Sequence, residues 1–132
     1  MAARGIRGAT TADSNTSGEI IAKTKELLDS LVRQNRVELA DIASAIFSVT
    51  ADLDSEFPAV AAREMGWFYT PLFCTMEMNV PGSLSSCIRV LLLVNTDARQ
   101  DELIHVYLHG AKKLRPDLET ANPSKHYTAE KK

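Results

Sequence analysis

Cysteine is scarce in this chain: Cys74 and Cys87 are the only two among 132 residues. They have neither the density of a disulfide scaffold nor the spacing of a zinc site, so reduced thiols are expected. Long apolar runs are missing as well. The longest, Cys87-Ile88-Arg89-Val90-Leu91-Leu92-Leu93-Val94, is far too short to span a bilayer, and Met1-Ala2-Ala3-Arg4-Gly5-Ile6-Arg7 lacks the apolar core of a signal peptide. A cytoplasmic protein without membrane contact is the expectation. No sign of charge dominates either. Fifteen basic against 17 acidic residues leave a net charge of −2, which argues against a nucleic-acid footprint and confines any anion site to a local cluster. There is no Gly-x-Ser-x-Gly elbow, Walker loop or dinucleotide fingerprint, and hence no support for a cofactor. His105 and His109 have the i, i+4 spacing of helical metal ligands. The residues between them alternate like a strand, which would separate their directions, so no metal is expected.

With 45% hydrophobic and 24% charged residues, the chain suits one domain with a modest core. Residues 4–11 read as a strand in which Arg4 and Arg7, three apart, face opposite sides. Thr16-Ser17-Gly18-Glu19 has the form of a capping box, and Ile20, Thr24, Leu27, Leu28 and Leu31 follow at helical spacing, predicting a helix over 17–35. A second strand is expected at 43–49, short helices at 52–57 and 59–65, and a third strand at 67–74, where Pro71 favours an edge or a bulge. The apolar run at 87–94 and residues 104–108 complete the strands, with a turn or short helical connection at 97–102. The fold class is therefore α+β, a mixed sheet with one main helix. One helix covers only one face, yet residues 90–94 are apolar at consecutive positions, so the second face is expected to meet another subunit of a closed homo-oligomer. A single domain over 1–118 with a mobile, polar tail at 119–132 follows.

Arg89 interrupts the most apolar run, where an unpaired guanidinium would cost several kcal/mol and cannot escape by deprotonating. Either it pairs with one of the protein's own carboxylates, or the strand end reaches the surface and the head group snorkels out, or its partner is an anionic ligand. Arg7, Arg63, Arg89 and Arg115 form the cation set, with Glu77, Cys74 and Tyr107 as polar partners. Four arginines and little base machinery suggest bidentate recognition of a compact polyanion rather than acid–base or nucleophilic catalysis. Taken singly, Cys74 reads as a small strand-end residue, Tyr107 as a core aromatic and Glu77 as a solvated loop carboxylate.

At these residues the chain resembles the monofunctional AroH class of chorismate mutases. The matching segments are Arg4-Gly5-Ile6-Arg7-Gly8-Ala9-Thr10-Thr11, Phe57-Pro58-Ala59 with Arg63, Cys74 with Glu77-Met78, Cys87-Ile88-Arg89-Val90, His105-Val106-Tyr107-Leu108, and Leu114-Arg115-Pro116-Asp117-Leu118. The resemblance implies an isomerase that converts chorismate to prephenate by an intramolecular Claisen rearrangement, at the start of phenylalanine and tyrosine synthesis. It also implies a homotrimeric pseudo-α/β-barrel with active sites between subunits and no cofactor. By resemblance, Arg89 stabilises charge on the ether oxygen, Arg7 and Tyr107 hold a carboxylate, and Glu77 and the Cys74 thiol engage the hydroxyl end. Phe57, Ala59, Leu72, Phe73, Thr75 and Leu114 would line the pocket, Arg63 would stand near its mouth, and Arg115 would help to capture the dianion. Val60 stands where relatives can carry a lysine, so one peripheral cation is missing. Two other readings compete. One is a trimeric imine-deaminase-like enzyme, and the other is a non-catalytic trimeric binder of small carboxylates.

Overall fold

The computed structural model describes residues 1–115; the expected tail at 119–132, together with residues 116–118, lies outside them. The strand β1 (Ala2–Thr11) buries Ile6 and Thr10 on one side and leads into the helix α1 (Ser17–Asn35). Thr16 caps α1 by accepting the Glu19 N–H, but the Glu19 carboxylate accepts from the Asp13 N–H instead of the cap residue, so the expected capping box closes only on one side. The helix stops at Arg36, whose left-handed backbone (φ 52°) returns its N–H to the carbonyls of Val32 and Arg33. There follow β2 (Ile42–Val49), α2 (Ala59–Glu64), β3 (Leu72–Met76), β4 (Cys87–Thr96) and β5 (Val106–Tyr107), with 3₁₀ turns at Leu39–Asp41, Gln100–Glu102 and His109–Leu114.

The five strands form one mixed sheet in the order β3-β2-β4-β1-β5. The last long strand, β4, is thus inserted between β1 and β2 and is antiparallel to both, while the outer pairs β2–β3 and β1–β5 are parallel. Its even residues Ile88, Val90, Leu92 and Val94 are buried on the side of α1, where Leu27, Leu28 and Leu31 pack with Ile6 and Phe47. Its odd residues Arg89, Leu91 and Leu93 lie on the opposite face and are only half-buried. Register puts Ile46 and Phe73 in line with Leu91, so this face carries an apolar strip that the described residues leave open.

Three expectations change. Residues 52–57 form a turn, because Asn15 holds them with its side chain, accepting the N–H groups of Asp54 (3.1 Å) and Ser55 (3.2 Å) and donating to the Asp54 carboxylate. The third strand begins at Leu72 rather than 67, since Trp67 is drawn into the core and Pro71 supplies only its carbonyl, which accepts the Ala45 N–H at 3.0 Å. The fifth strand shrinks to two residues because Asn35 takes both backbone groups of Ile104, at 2.7 and 2.9 Å. Arg4 and Arg7 do face opposite sides: Arg4 turns away to donate to the Ala98 carbonyl at 3.2 Å.

Gly8 allows α1 to approach β1, since a Cβ there would lie 2.8 Å from Leu31 Cδ1 and 3.0 Å from Leu27 Cδ1. Gly8→Ala is expected to lower stability by about 1–3 kcal/mol through overpacking, read as a drop in the urea midpoint. Gly18→Ala, where a Cβ meets nothing within 4 Å, should not.

Candidate active site

Strand register assembles the site. On the face away from α1, Tyr107 pairs with Ala9, Ala9 with Arg89, Arg89 with Ser48, and Ser48 with Thr75, so one row crosses all five strands. The neighbouring row runs from Arg7 through Leu91 and Ile46 to Phe73. Arg89 therefore stands at the middle of the sheet, on the strand held from both sides.

Both local explanations for its buried charge apply together. Arg89 Nε lies 3.2 Å from Glu77 Oε2, and the side chain is 41% exposed, so it pairs with an internal carboxylate and also reaches solvent. Nε itself is buried, and its N–H is not aligned on that carboxylate. Glu77 follows β3, where its N–H donates to the Val49 carbonyl at 2.8 Å. Its carboxylate accepts from Ser48 Oγ at 2.9 Å and from the Met78 N–H at 3.3 Å. A carboxylate already shared in this way cannot saturate the five N–H donors of a guanidinium. The half-exposed head group thus keeps donors for an anion.

The start of β4 is clamped. Ser86 has a left-handed backbone (φ 52°), and Asp52 accepts its N–H at 2.9 Å. Thr50 Oγ1 accepts the Cys87 N–H at 3.0 Å and donates to the same Asp52. These bonds hold the Asp52 carboxyl below its ordinary value. Cys87, 1% exposed and on the same face as Arg89, has its thiol pushed up by burial, with the nearby guanidinium opposing that shift. It packs with Ala9 and Ala111 under Tyr107, Leu84 and Leu114.

The remaining predicted residues divide. Arg7, Phe73 (64% exposed), Thr75, Glu77, Arg89, Tyr107 and Leu114 belong to the open face, and Arg115 follows the 3₁₀ turn that ends at Leu114. Leu72 and Cys74 alternate to the other side and pack on the core, as does Ala59 at 2% exposure. Arg63 projects from α2, which packs against α1, and Phe57 is 66% exposed just before α2. One copy therefore brings together the Arg89 set and not the Phe57, Arg63 and Cys74 set.

Sequence reasoning missed His105. Its Nδ1 accepts the Arg7 backbone N–H at 2.9 Å, whereas His109 lies 2.8 Å from Glu26. Burial, followed by the positive charges of Arg7 and Arg115, pushes His105 down to about 4. Its signal was hidden because nothing in the spacing tells that residues 98 positions apart meet.

Cations projecting from a sheet, with a fixed carboxylate among them and, among the described residues, no paired nucleophile and base, suit the binding and orienting of an anionic small molecule. Comparison with known proteins names the family: the model for chorismate mutase type I matches residues 3–118, and the chain belongs to that family of isomerases. It is 48% identical over 119 residues to the chorismate mutase AroH of Bacillus subtilis (strain 168), covering 89% of this chain and 94% of that protein. Against the chorismate mutase AroH of Thermus thermophilus it is 50% identical, covering 89% and 98%. A solved chorismate mutase from Clostridium thermocellum superposes with a TM-score of 0.82 at 54% identity, covering 83% of this chain and 97% of that one. Among the described residues no helix is long and apolar enough to cross a membrane.

Since the folded-state value of His105 lies below its ordinary 6.5, the unfolded chain takes up the proton first. Stability present above pH 6.5 is expected to fall as pH drops towards about 4. Urea midpoints across this window should show that slope for the wild type and a flatter one for His105→Asn.

Proposed function

We propose that this chain, as a domain over residues 1–118 acting in the cytoplasm, rearranges chorismate to prephenate at sites shared between neighbouring copies of a homotrimer, arranged as a pseudo-α/β-barrel. The observation that carries the reading is the position of Arg89: a half-exposed guanidinium on the central strand, in one row with Tyr107 and beside a fixed Glu77. In the rearrangement the ether carbon–oxygen bond breaks ahead of the new carbon–carbon bond, so negative charge gathers on the ether oxygen. A cation already in place there stabilises the transition state more than the substrate, with no solvent to reorganise. No proton transfer and no covalent intermediate is needed. The exposed Arg7 and the half-buried Tyr107 hold a carboxylate and Glu77 the hydroxyl end, so the flexible substrate is kept in its compact, reactive form. Arg115 assists capture of the dianion.

The division of site residues within one copy supports a shared site. Phe57, Arg63 and Cys74 lie apart from the Arg89 set, and the open strip of Ile46, Leu91 and Phe73 is a surface that a second copy would cover. On this reading the neighbour supplies Phe57 and Arg63 to the site of Arg89. Ala59 is buried in the core, so on this reading it does not touch substrate.

Arg89→Ala is expected to lose at least about 10²- to 10³-fold in kcat, followed as loss of the chorismate diene's ultraviolet absorbance. Arg89→Lys should also fail badly, because a point charge lacks the guanidinium's forked donors. Near-normal turnover of either variant would overturn the mechanism. Refolding Arg89→Ala together with Arg63→Ala should restore activity in roughly a quarter of the interfaces, because some neighbouring pairs then combine two intact halves. Mixtures no more active than the separate variants would place both residues in one subunit's site.

A further inference from the structure

We infer that His105 is a positioning residue for the carboxylate-binding arm of the site: its neutral imidazole accepts the Arg7 backbone N–H and fixes the stretch of β1 from which the Arg7 guanidinium projects. The inference rests on the reading of Arg7 as a carboxylate ligand and adds a residue to it.

The geometry requires such a device. β5 pairs with β1 only at Gly8–Val106 and Ala9–Tyr107, and Leu108 adds one bond to the Ala9 carbonyl at 2.9 Å. One step earlier the ladder runs out. The Ile104 carbonyl, which precedes this pairing, is engaged by the Asn35 side chain of α1 at 2.9 Å. The Arg7 N–H turns to the His105 ring instead, at 2.9 Å. A side chain thus supplies the rung that the outermost strand lacks.

Only an uncharged ring can do this. A backbone N–H can only donate, so Nδ1 must carry a lone pair and the ring's single proton sits on Nε2. Among the described residues, the charged groups that act on the ring are Arg7 from β1 and Arg115 from the segment after the last 3₁₀ turn, and both oppose a further positive charge. Asn35 on α1, which holds the backbone of the adjacent Ile104, is uncharged. The acceptor therefore persists at neutral pH, and two guanidinium groups meant for one dianion are not joined by a third cation. Lysine or arginine at this position would donate where an acceptor is needed.

The test measures kcat and KM for chorismate at pH 7.5 in wild type, His105→Asn and His105→Ala, each with and without Arg7→Ala. The asparagine oxygen falls near the place of Nδ1. His105→Ala is expected to raise KM about five- to tenfold, the loss of one hydrogen bond, with a smaller fall in kcat. His105→Asn should stay within about twofold of wild type, and His105→Ala should add nothing once Arg7 is alanine. Hydrogen exchange of the Arg7 amide gives a readout independent of turnover, slow in wild type and His105→Asn and fast in His105→Ala. Should His105→Ala fail to fold, His105→Gln takes its place, since its amide reaches the position of Nε2 and not Nδ1. A normal KM in His105→Ala, or an equal loss in the Arg7→Ala background, would overturn the inference. An Arg7→Ala enzyme with normal KM would remove the carboxylate reading of Arg7 itself, and the inference with it.

Discussion

The whole structure depends on one strand belonging to two ladders at once. Every residue of β1 has a partner on β4, and the other edge of β4 pairs with β2 from Ile42 to Val49. A strand so placed is as fixed as a backbone can be in a small domain, with hydrogen bonds on both edges and the core beneath its even residues. Electrostatic catalysis asks for this, since a donor that must swing into place at the moment of reaction loses its advantage over water. On the proposed reading, mounting Arg89 there joins the stability of the sheet to the precision of the site.

The carboxylate beside it has a second consequence. Glu77 is held by Ser48, by its own strand-end backbone and by the Met78 N–H, so the guanidinium meets a carboxylate already fixed in place. An internal partner keeps the Arg89 charge compensated in the free enzyme and leaves donors over for substrate. The net charge of −2 says nothing of this local cluster. Recognition of a dianion rests on where a few arginines stand, not on how many the chain carries.

Much of this was legible in the sequence, and the rest was hidden for identifiable reasons. α1 announced itself through Thr16 and the spacing of its leucines, because both signals are local. β4 was readable from consecutive apolar residues, and the need of Arg89 for an anion from its place among them. The turn at 52–57 was not, because Asn15, remote in sequence, supplies the bonds that a helix would have made internally. Nor was the shortness of β5, which Asn35 and His105 decide across long separations. The roles of Arg7, Arg89 and Tyr107 came from resemblance, and only register could place them in adjoining rows. That Cys74 faces away from Thr75 follows from strand alternation alone and is visible in the sequence once β3 is placed.

The order of strands also governs how the molecule comes into being. A growing polypeptide delivers β1, α1, β2 and β3 before the strand that unites them, so until β4 emerges β1 and β2 lack the strand that both pair with. β2 and β3 can pair beforehand, but β1 cannot join them until the strand between arrives. Arg89 comes with that same segment. A chain cut short before β4 therefore lacks both the strand that joins the two sides of the sheet and the guanidinium at its centre.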